Sequence, residues 1–258
     1  MNWDVYALRY GENTARTRRD SFPFDPDPDA PHPMDFYFWV LRRGAEVIVV
    51  DTGMSSAEAT RRGRSVFEEP PAMLARLGID LAQVTRVILT HLHFDHAGAL
   101  EAYPNARLEV QAAELRFATS AHMANPVLRM PYTADHVTEV VRRLHDGQVT
   151  VHDGDAQLAE GLQAHLIGGH SEGLMALTVQ THRGRLVLAS DVAHYFESID
   201  SGALFAIVSD PKAMARGLDW LRSFPRDRVI PGHDPALRKL YSQIAPEVYD
   251  LSAPIQEA

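Results

Sequence analysis

The chain has 258 residues, 45% of them apolar and 23% charged, with a formal net charge of −9 and no cysteine. This length and apolar content allow a large domain with a sizeable core, while the acidic balance excludes a nucleic-acid phosphate surface, which needs clustered Lys and Arg. Without cysteine there is neither a disulfide framework nor a thiolate metal site. Any bound metal must then take nitrogen and oxygen ligands, which narrows the ion to zinc, iron, manganese or cobalt.

The first residues, Met1 to Val5, show no basic segment followed by a long apolar one, and no later stretch approaches the roughly 18 consecutive apolar residues of a membrane span. The expected compartment is the cytoplasm, with no membrane partner. Val5 to Arg9 reads as a short strand, and Arg16 to Arg19 as a solvated basic run. Residues 22–33 carry five prolines, at 23, 26, 28, 31 and 33, which forbid a ladder or a helix; they form a long, stiff loop of the kind that often covers a pocket or a dimer contact. Phe36 to Leu41 and Val47 to Val50 read as paired strands joined at Arg43-Gly44, with Phe36 to Trp39 an aromatic stripe of sandwich core. A helical segment is expected from about Ser56 to Leu77, interrupted near Pro70-Pro71, followed by an apolar strand from Val84 to Thr90.

That strand runs into His91-Leu92-His93-Phe94-Asp95-His96, three imidazoles and a carboxylate in six residues. Neutral imidazole and carboxylate are common ligands of divalent metals. In an extended segment residues i and i+2 project to one side, so His91 and His93 can grip one ion together. Asp95 and His96 follow where the chain turns at Ala97-Gly98 and can face a second ion. A bare cluster of packed or surface histidines is the bland alternative, but adjacent imidazoles have little packing value and form strands poorly.

Leu108 to Gln111 reads as another strand, and the stretch from about 112 to 146, rich in Ala, Leu, Arg and Glu, as a helical cap beside the site; within it His122 to Pro126 and Met130 to Tyr132 are placed near the pocket. Val149 to Val151, Gln163 to Ile167, Met175 to Thr181 and Arg185 to Ala189 are expected strands; Pro211 to Ser223 and Pro235 to Ile244 are expected helices, with a strand from Arg228 to Ile230 between them. Alternation of this kind suggests an α/β chain with two mixed sheets packed face to face and helices outside. A two-metal site needs more ligands than the hexad supplies. Three later residues each end an apolar strand at a loop: His170 after Gly168-Gly169, Asp191 after Leu186 to Ser190, and His233 after Pro231-Gly232. Singly, each is as readily a turn residue or a cap. Together they divide plausibly, with His91, His93 and His170 on one ion, Asp95, His96 and His233 on the other, and Asp191 bridging.

With these residues in place, the sequence resembles the metallo-β-lactamase fold hydrolases, whose signature is His-x-His-x-Asp-His followed by distant His, Asp and His ligands. The resemblance runs from Asp51-Thr52-Gly53 through Thr90 to Gly98, Gly169-His170-Ser171 and Ser190-Asp191 to Gly232-His233. It implies a four-layer αββα sandwich, a single domain over residues 1–258, and an Asp51 that supports the metal loop by hydrogen bonding. Within the superfamily the chain looks most like the N-acyl homoserine lactonases, which commonly carry a tyrosine three positions after the bridging aspartate to bind the substrate carbonyl. Here His194 stands there and Tyr195 follows, so both are candidates for that role.

The activity so implied is hydrolysis of a lactone by a hydroxide shared between two divalent ions, zinc first, with iron, manganese or cobalt as alternatives. Asp95 is placed to return a proton to the leaving alkoxide. The expected partner is a small lactone or ester, and the protein is expected to be a monomer or homodimer. Rival readings are a thioesterase of the glyoxalase II type, against which stand the 25 residues after His233, a β-lactamase, and an iron-dependent redox enzyme. The diiron oxygen-reducing type of redox enzyme usually has Glu where this chain has His93. A protein that only binds should have lost ligands.

Overall fold

The structure is a computed structural model and describes residues 2–253. Its first sheet is built from β1 (Asp4–Asn13), β2 (Met34–Arg43), β3 (Glu46–Val50), the short β4 (Ser65–Val66), β5 (Arg86–Ile88), β6 (Arg107–Gln111) and β7 (Val149–His152). The second consists of β8 (Ala156–Ala159), β9 (Leu162–Leu166), β10 (Met175–Thr181), β11 (Gly184–Ser190) and β12 (Val229–Pro231); β13 (Ser242–Ala245) and β14 (Val248–Asp250) return to the first. The order in the first sheet is β13-β14-β1-β2-β3-β5-β6-β7, with β4 on β1, and in the second β12-β11-β10-β9-β8. Both are mixed: β3, β5, β6 and β7 run parallel, as do β11 and β12, and the other pairings are antiparallel.

Alternation along the central strands explains why two faces are buried. Tyr6, Leu8, Phe36, Phe38, Val47 and Val49 point to one side of the first sheet and join a core with residues of the cap helices. Val5, Ala7, Tyr37, Trp39, Ile48 and Val50 point to the other, against Leu162, Leu177, Val179 and Leu188 of the second sheet. The aromatic stripe is therefore core on both faces, and a period of two places alternate rings in different layers. Beyond the second sheet, α6 (Pro211–Arg222) buries Leu218 and Leu221, completing the αββα order.

Three expectations need correction. The helix from Ser56 to Leu77 is instead α1 (Ser56–Arg61), β4, and a 3-10 turn over Pro70–Leu77, because Gly63 adopts a left-handed φ of 66° and Pro70 starts a new element. The helix from Pro235 to Ile244 is only α7 (Leu237–Leu240); Ser242–Ala245 pairs with β14 at the sheet edge. The Arg16 to Arg19 run is not simply solvated, since Arg16 lines the central cleft and Arg18 is ion-paired to Asp25 and Glu197. The strand Ala156–Ala159 and the helix α5 (Phe196–Ser201) are additions to the expected elements.

The cap region comprises α2 (Ala112–Ala118), a 3-10 turn at Ala121–Ala124, α3 (Pro126–Arg129) and α4 (Ala134–His145). Buried Arg143 ties α4 to the turn after the histidine cluster by donating to the carbonyls of Leu100 and Tyr103. The proline-rich loop lies back on the chain before it, with Arg18 N–H donating to Ala30 O, Arg19 N–H to Pro28 O and His32 N–H to Arg16 O.

Candidate metal centre

The side chains converge where strands end. β5 delivers the loop carrying His91, His93, Asp95 and His96; the loop after β9 carries His170; Asp191 follows β11 and His233 follows β12. All seven are buried. Two glycines permit the approach: a Cβ at Gly232 would lie 2.7 Å from Asp191 Oδ1, and one at Gly98 would lie 2.5 Å from Gly53 O.

Asp191 sits at the middle. Its Oδ2 is 3.1 Å from His170 Nε2 and 3.9 Å from His91 Nε2, while Oδ1 is 3.3 Å from His96 Nε2 and 3.1 Å from His233 Nε2. Donor atoms of His91, His93 and His170 lie within 4.8 Å of one another, as do those of Asp95, His96 and His233. One carboxylate oxygen thus faces His91 and His170 and the other His96 and His233, and the groups overlap, since His91, His96 and Asp191 also lie within 4.8 Å of one another.

The outer nitrogens fix which ring atoms face inward. His170 Nδ1 donates to Ile207 O at 2.7 Å, His233 Nδ1 to Asp35 O at 2.9 Å, and His96 Nδ1 to Asp51 Oδ2 at 2.8 Å. His91 Nδ1 is 3.1 Å from the Thr90 hydroxyl, which itself donates to Asp51. In the neutral ring each of these contacts places the proton on Nδ1 and leaves Nε2 with a lone pair. Lone pairs then point at carboxylate oxygens, and His91 Nε2, His96 Nε2, His233 Nε2 and Asp191 Oδ1 are all buried without a hydrogen-bond partner. A cluster of inward-facing acceptors is costly when buried unless a cation lies among them. Nitrogen and carboxylate donors in two groups that share Asp191 therefore fit divalent metal ions.

Electrostatics agree with crowding of like groups. Burial, then the neighbouring imidazoles, holds His91 and His93 well below the usual histidine range. For His96 and His233 burial acts downward too, but Asp191 and further acidic neighbours outweigh it and raise both. Asp51, fully buried, accepts from Thr90 N–H at 2.8 Å and from the Thr90 hydroxyl at 2.8 Å, and adopts a left-handed φ of 61°. Those bonds hold the strained residue against His96.

His194 and Tyr195 part company. His194 Nε2 lies 2.9 Å from Asp191 Oδ2, its ring stacks on Phe205 at 3.4 Å, and it lines the cleft; burial pushes it down to about 3. Tyr195 packs against Phe22 and His32 beneath the proline-rich loop and does not line the cleft. Of the cap residues, Met130 and Pro131 line it, whereas the segment from His122 to Pro126 does not.

Sequence reasoning passed over Glu114 on α2. It is fully buried and accepts from Leu92 N–H at 2.9 Å, Gly173 N–H at 3.0 Å and Tyr132 Oη at 3.0 Å, so it joins the histidine loop, the His170 loop and the cap. A single Glu in a helical stretch carries no signal of such a role. Over the centre lies a cleft of about 340 Å³ bounded by Phe36, Phe94, Met130, Phe205 and Ile207, with Arg16, Arg62 and Arg64 at its wall.

Comparison with known proteins agrees with this geometry. A family model of the metallo-beta-lactamase superfamily matches residues 37–233. An N-acyl homoserine lactonase of Bacillus cereus is 27% identical over 176 residues, covering 62% of this chain and 64% of that protein, so the chain spans less than two thirds of its length. The N-acyl homoserine lactonase AttM of Azorhizobium caulinodans is 27% identical over 194 residues, 69% of this chain and 68% of the relative. Among solved structures, a quorum-quenching N-acyl homoserine lactone lactonase superposes with a TM-score of 0.79 at 23% identity, over 96% of this chain and 99% of the other. An N-acyl homoserine lactone hydrolase with N-hexanoyl-L-homoserine bound at its catalytic metal centre gives 0.78 at 21%, over 95% and 98%.

Proposed function

Because the chain belongs to the metallo-beta-lactamase superfamily, we propose that it is a metal-dependent hydrolase that opens a small lactone, of the N-acyl homoserine lactone kind or a related cyclic ester. The observation that carries the proposal is the convergence of seven buried His and Asp side chains in overlapping ligand groups around Asp191, with His91 Nε2, His96 Nε2, His233 Nε2 and Asp191 Oδ1 buried without a hydrogen-bond partner. His91, His93 and His170 would hold one ion and Asp95, His96 and His233 the other, with Asp191 between them. Zinc heads the candidates, and iron, manganese and cobalt suit the same donors. When bound, the ions supply Lewis acidity and a water acidic enough to ionise near neutral pH.

The chain's own groups do the rest. Phe36, Phe94 and Phe205 wall the cleft and limit its water. His194, held between Asp191 and the Phe205 ring, stands where the resembling lactonases place tyrosine and lines the cleft where it contacts the substrate carbonyl. Attack by water forms the new C–O bond at the acyl carbon as the ring C–O bond breaks. Asp95, at the cleft floor, carries the proton to the leaving alkoxide, and the product is a hydroxy acid. The proposal takes residues 1–258 as one domain, with about 112–146 as its cap. Tyr195, which does not reach the cleft, serves in it by packing.

A proton-release assay over N-acyl homoserine lactones, other lactones, simple esters, thioesters and a cephalosporin tests the reading. Lactones should be cleaved most efficiently, and His170→Ala should abolish the reaction. Cleavage confined to the thioesters or the cephalosporin would replace it with the corresponding hydrolase on the same fold.

A further inference from the structure

Beside the ligand residues, the cleft carries positive charge for which a neutral lactone has no use. Arg16, after β1, and Arg64, between α1 and β4, line the same cleft as His93, Asp95 and Asp191. Their neighbour Arg62 is fully engaged, with Nε 2.5 Å from Glu58 Oε1, further bonds to Met130 O and Tyr132 O, and its guanidinium 4.0 Å from the Phe94 ring. Arg16 and Arg64 differ from it. Among the described residues Arg16 donates to Asp20 O at 2.6 Å and Ser21 Oγ at 3.1 Å and lies by Tyr195, and its Nε is buried without a partner. Arg64 donates only to the carbonyls of Arg62 at 2.9 Å and Gly63 at 3.5 Å. Among the described residues neither is ion-paired, whereas Arg9, Arg18, Arg86 and Arg143 each have a carboxylate partner.

The acidic group on this wall is already occupied. Asp20 accepts from Thr17 N–H at 2.9 Å and from the Thr17 hydroxyl at 3.3 Å, and it is exposed. Burial, and after it the nearby Arg16, holds Arg64 below the usual arginine range, and the opposing pull of Asp95 and Asp20 does not offset them. The proline-rich loop holds Arg16 from behind, because His32 N–H bonds Arg16 O and Thr17 bridges Pro31. From Arg16 a stack leads inward: its guanidinium lies 5.4 Å from the Phe205 ring, which covers His194 beside Asp191. An oxyanion held by the arginines would thus belong to a molecule whose other end reaches the centre.

We propose that Arg16 and Arg64 form an oxyanion subsite, and that the substrate carries a carboxylate or phosphate group in addition to the ester bond that is cut. This rests on the hydrolase reading above. Guanidinium bonds to such groups are charge-assisted and among the stronger hydrogen bonds available.

The test compares, on metal-loaded protein, homoserine lactones whose acyl chains of equal length end in methyl, carboxylate or phosphate. Calorimetric binding of glutarate and of inorganic phosphate to the same protein supplies a readout independent of turnover. The anionic lactones should be favoured in kcat/KM, chiefly through KM, by about 10–100-fold, and whichever of the two leads identifies the anion. In R16Q/R64Q that preference should collapse and glutarate or phosphate should bind more weakly by a similar factor, while R16K/R64K keeps part of both; circular dichroism melting confirms that the variants fold. Equal or better turnover of the methyl-ended lactone, with anion binding unchanged in R16Q/R64Q, would overturn the subsite. If no lactone opens yet anion binding still depends on the two arginines, the subsite stands and the lactonase reading falls.

Discussion

The protonation pattern of the buried histidines is the most informative detail at the scale of single residues. His96, His170 and His233 each place Nδ1–H on an oxygen outside the cluster and turn Nε2 inward. Outer partners of this kind set ring orientation, and their loss typically costs about 10–100-fold in metal affinity. Asp51→Asn should therefore weaken metal retention by that order, measured by competition with a chromogenic chelator, because the amide cannot replace the carboxylate opposite His96. Affinity equal to the parent would show that Asp51 serves folding alone. The seven converging residues were legible in the sequence, since the hexad has few bland readings and His170, Asp191 and His233 each end an apolar strand, whereas Asp51 was pointed to by the family resemblance alone. Glu114, Arg16 and Arg64 were not legible, because their significance lies in partners that are distant in sequence or missing altogether.

At the scale of elements, strands with two-sided apolar alternation were legible and short elements set by tertiary contacts were not. Met175–Thr181 matches the expected strand residue for residue. Ser242–Ala245 is half-exposed and helix-compatible alone, and becomes a strand only because β14 offers an edge. Likewise α1 stops at Arg61 ahead of left-handed Gly63, and Arg62, at its end, bonds Glu58 and the cap carbonyls of Met130 and Tyr132. Glu58 accepts from Arg62 and from the Thr133 hydroxyl at 2.7 Å, linking α1 to the start of α4. Burial raises its pKa, but the bonds from Arg62 and Thr133 and the nearby arginine charges outweigh burial, and the net direction is downward. A lowered folded-state pKa means the contribution is present above the unfolded carboxylate value and is lost as pH falls through the folded one. Glu58→Gln should cost about 1–3 kcal/mol in urea unfolding near neutral pH, with the difference shrinking in mild acid. A difference that stays constant with pH would rule out the charged link.

At the scale of the whole molecule, the ligands come from both sheets. The loop after β5 of the first sheet brings four, and the ends of β9, β11 and β12 of the second bring three. The sandwich was legible because alternating strands in each half must bury two faces. The shape of the cleft was not, since it depends on how the cap and the proline-rich loop settle around Arg16, Phe94 and Phe205. Among the described residues no helix is long and apolar enough to cross a membrane.

Under the proposed function, two ions held by these seven side chains would make the chain a lactone hydrolase. Adding Zn²⁺ stepwise to chelator-stripped protein, while following lactone opening by proton release, tests it most directly. Activity should be absent at the start, return with added metal and level off at two ions per chain. Full activity in the stripped protein, or two ions bound with no lactone opened, would contradict the account.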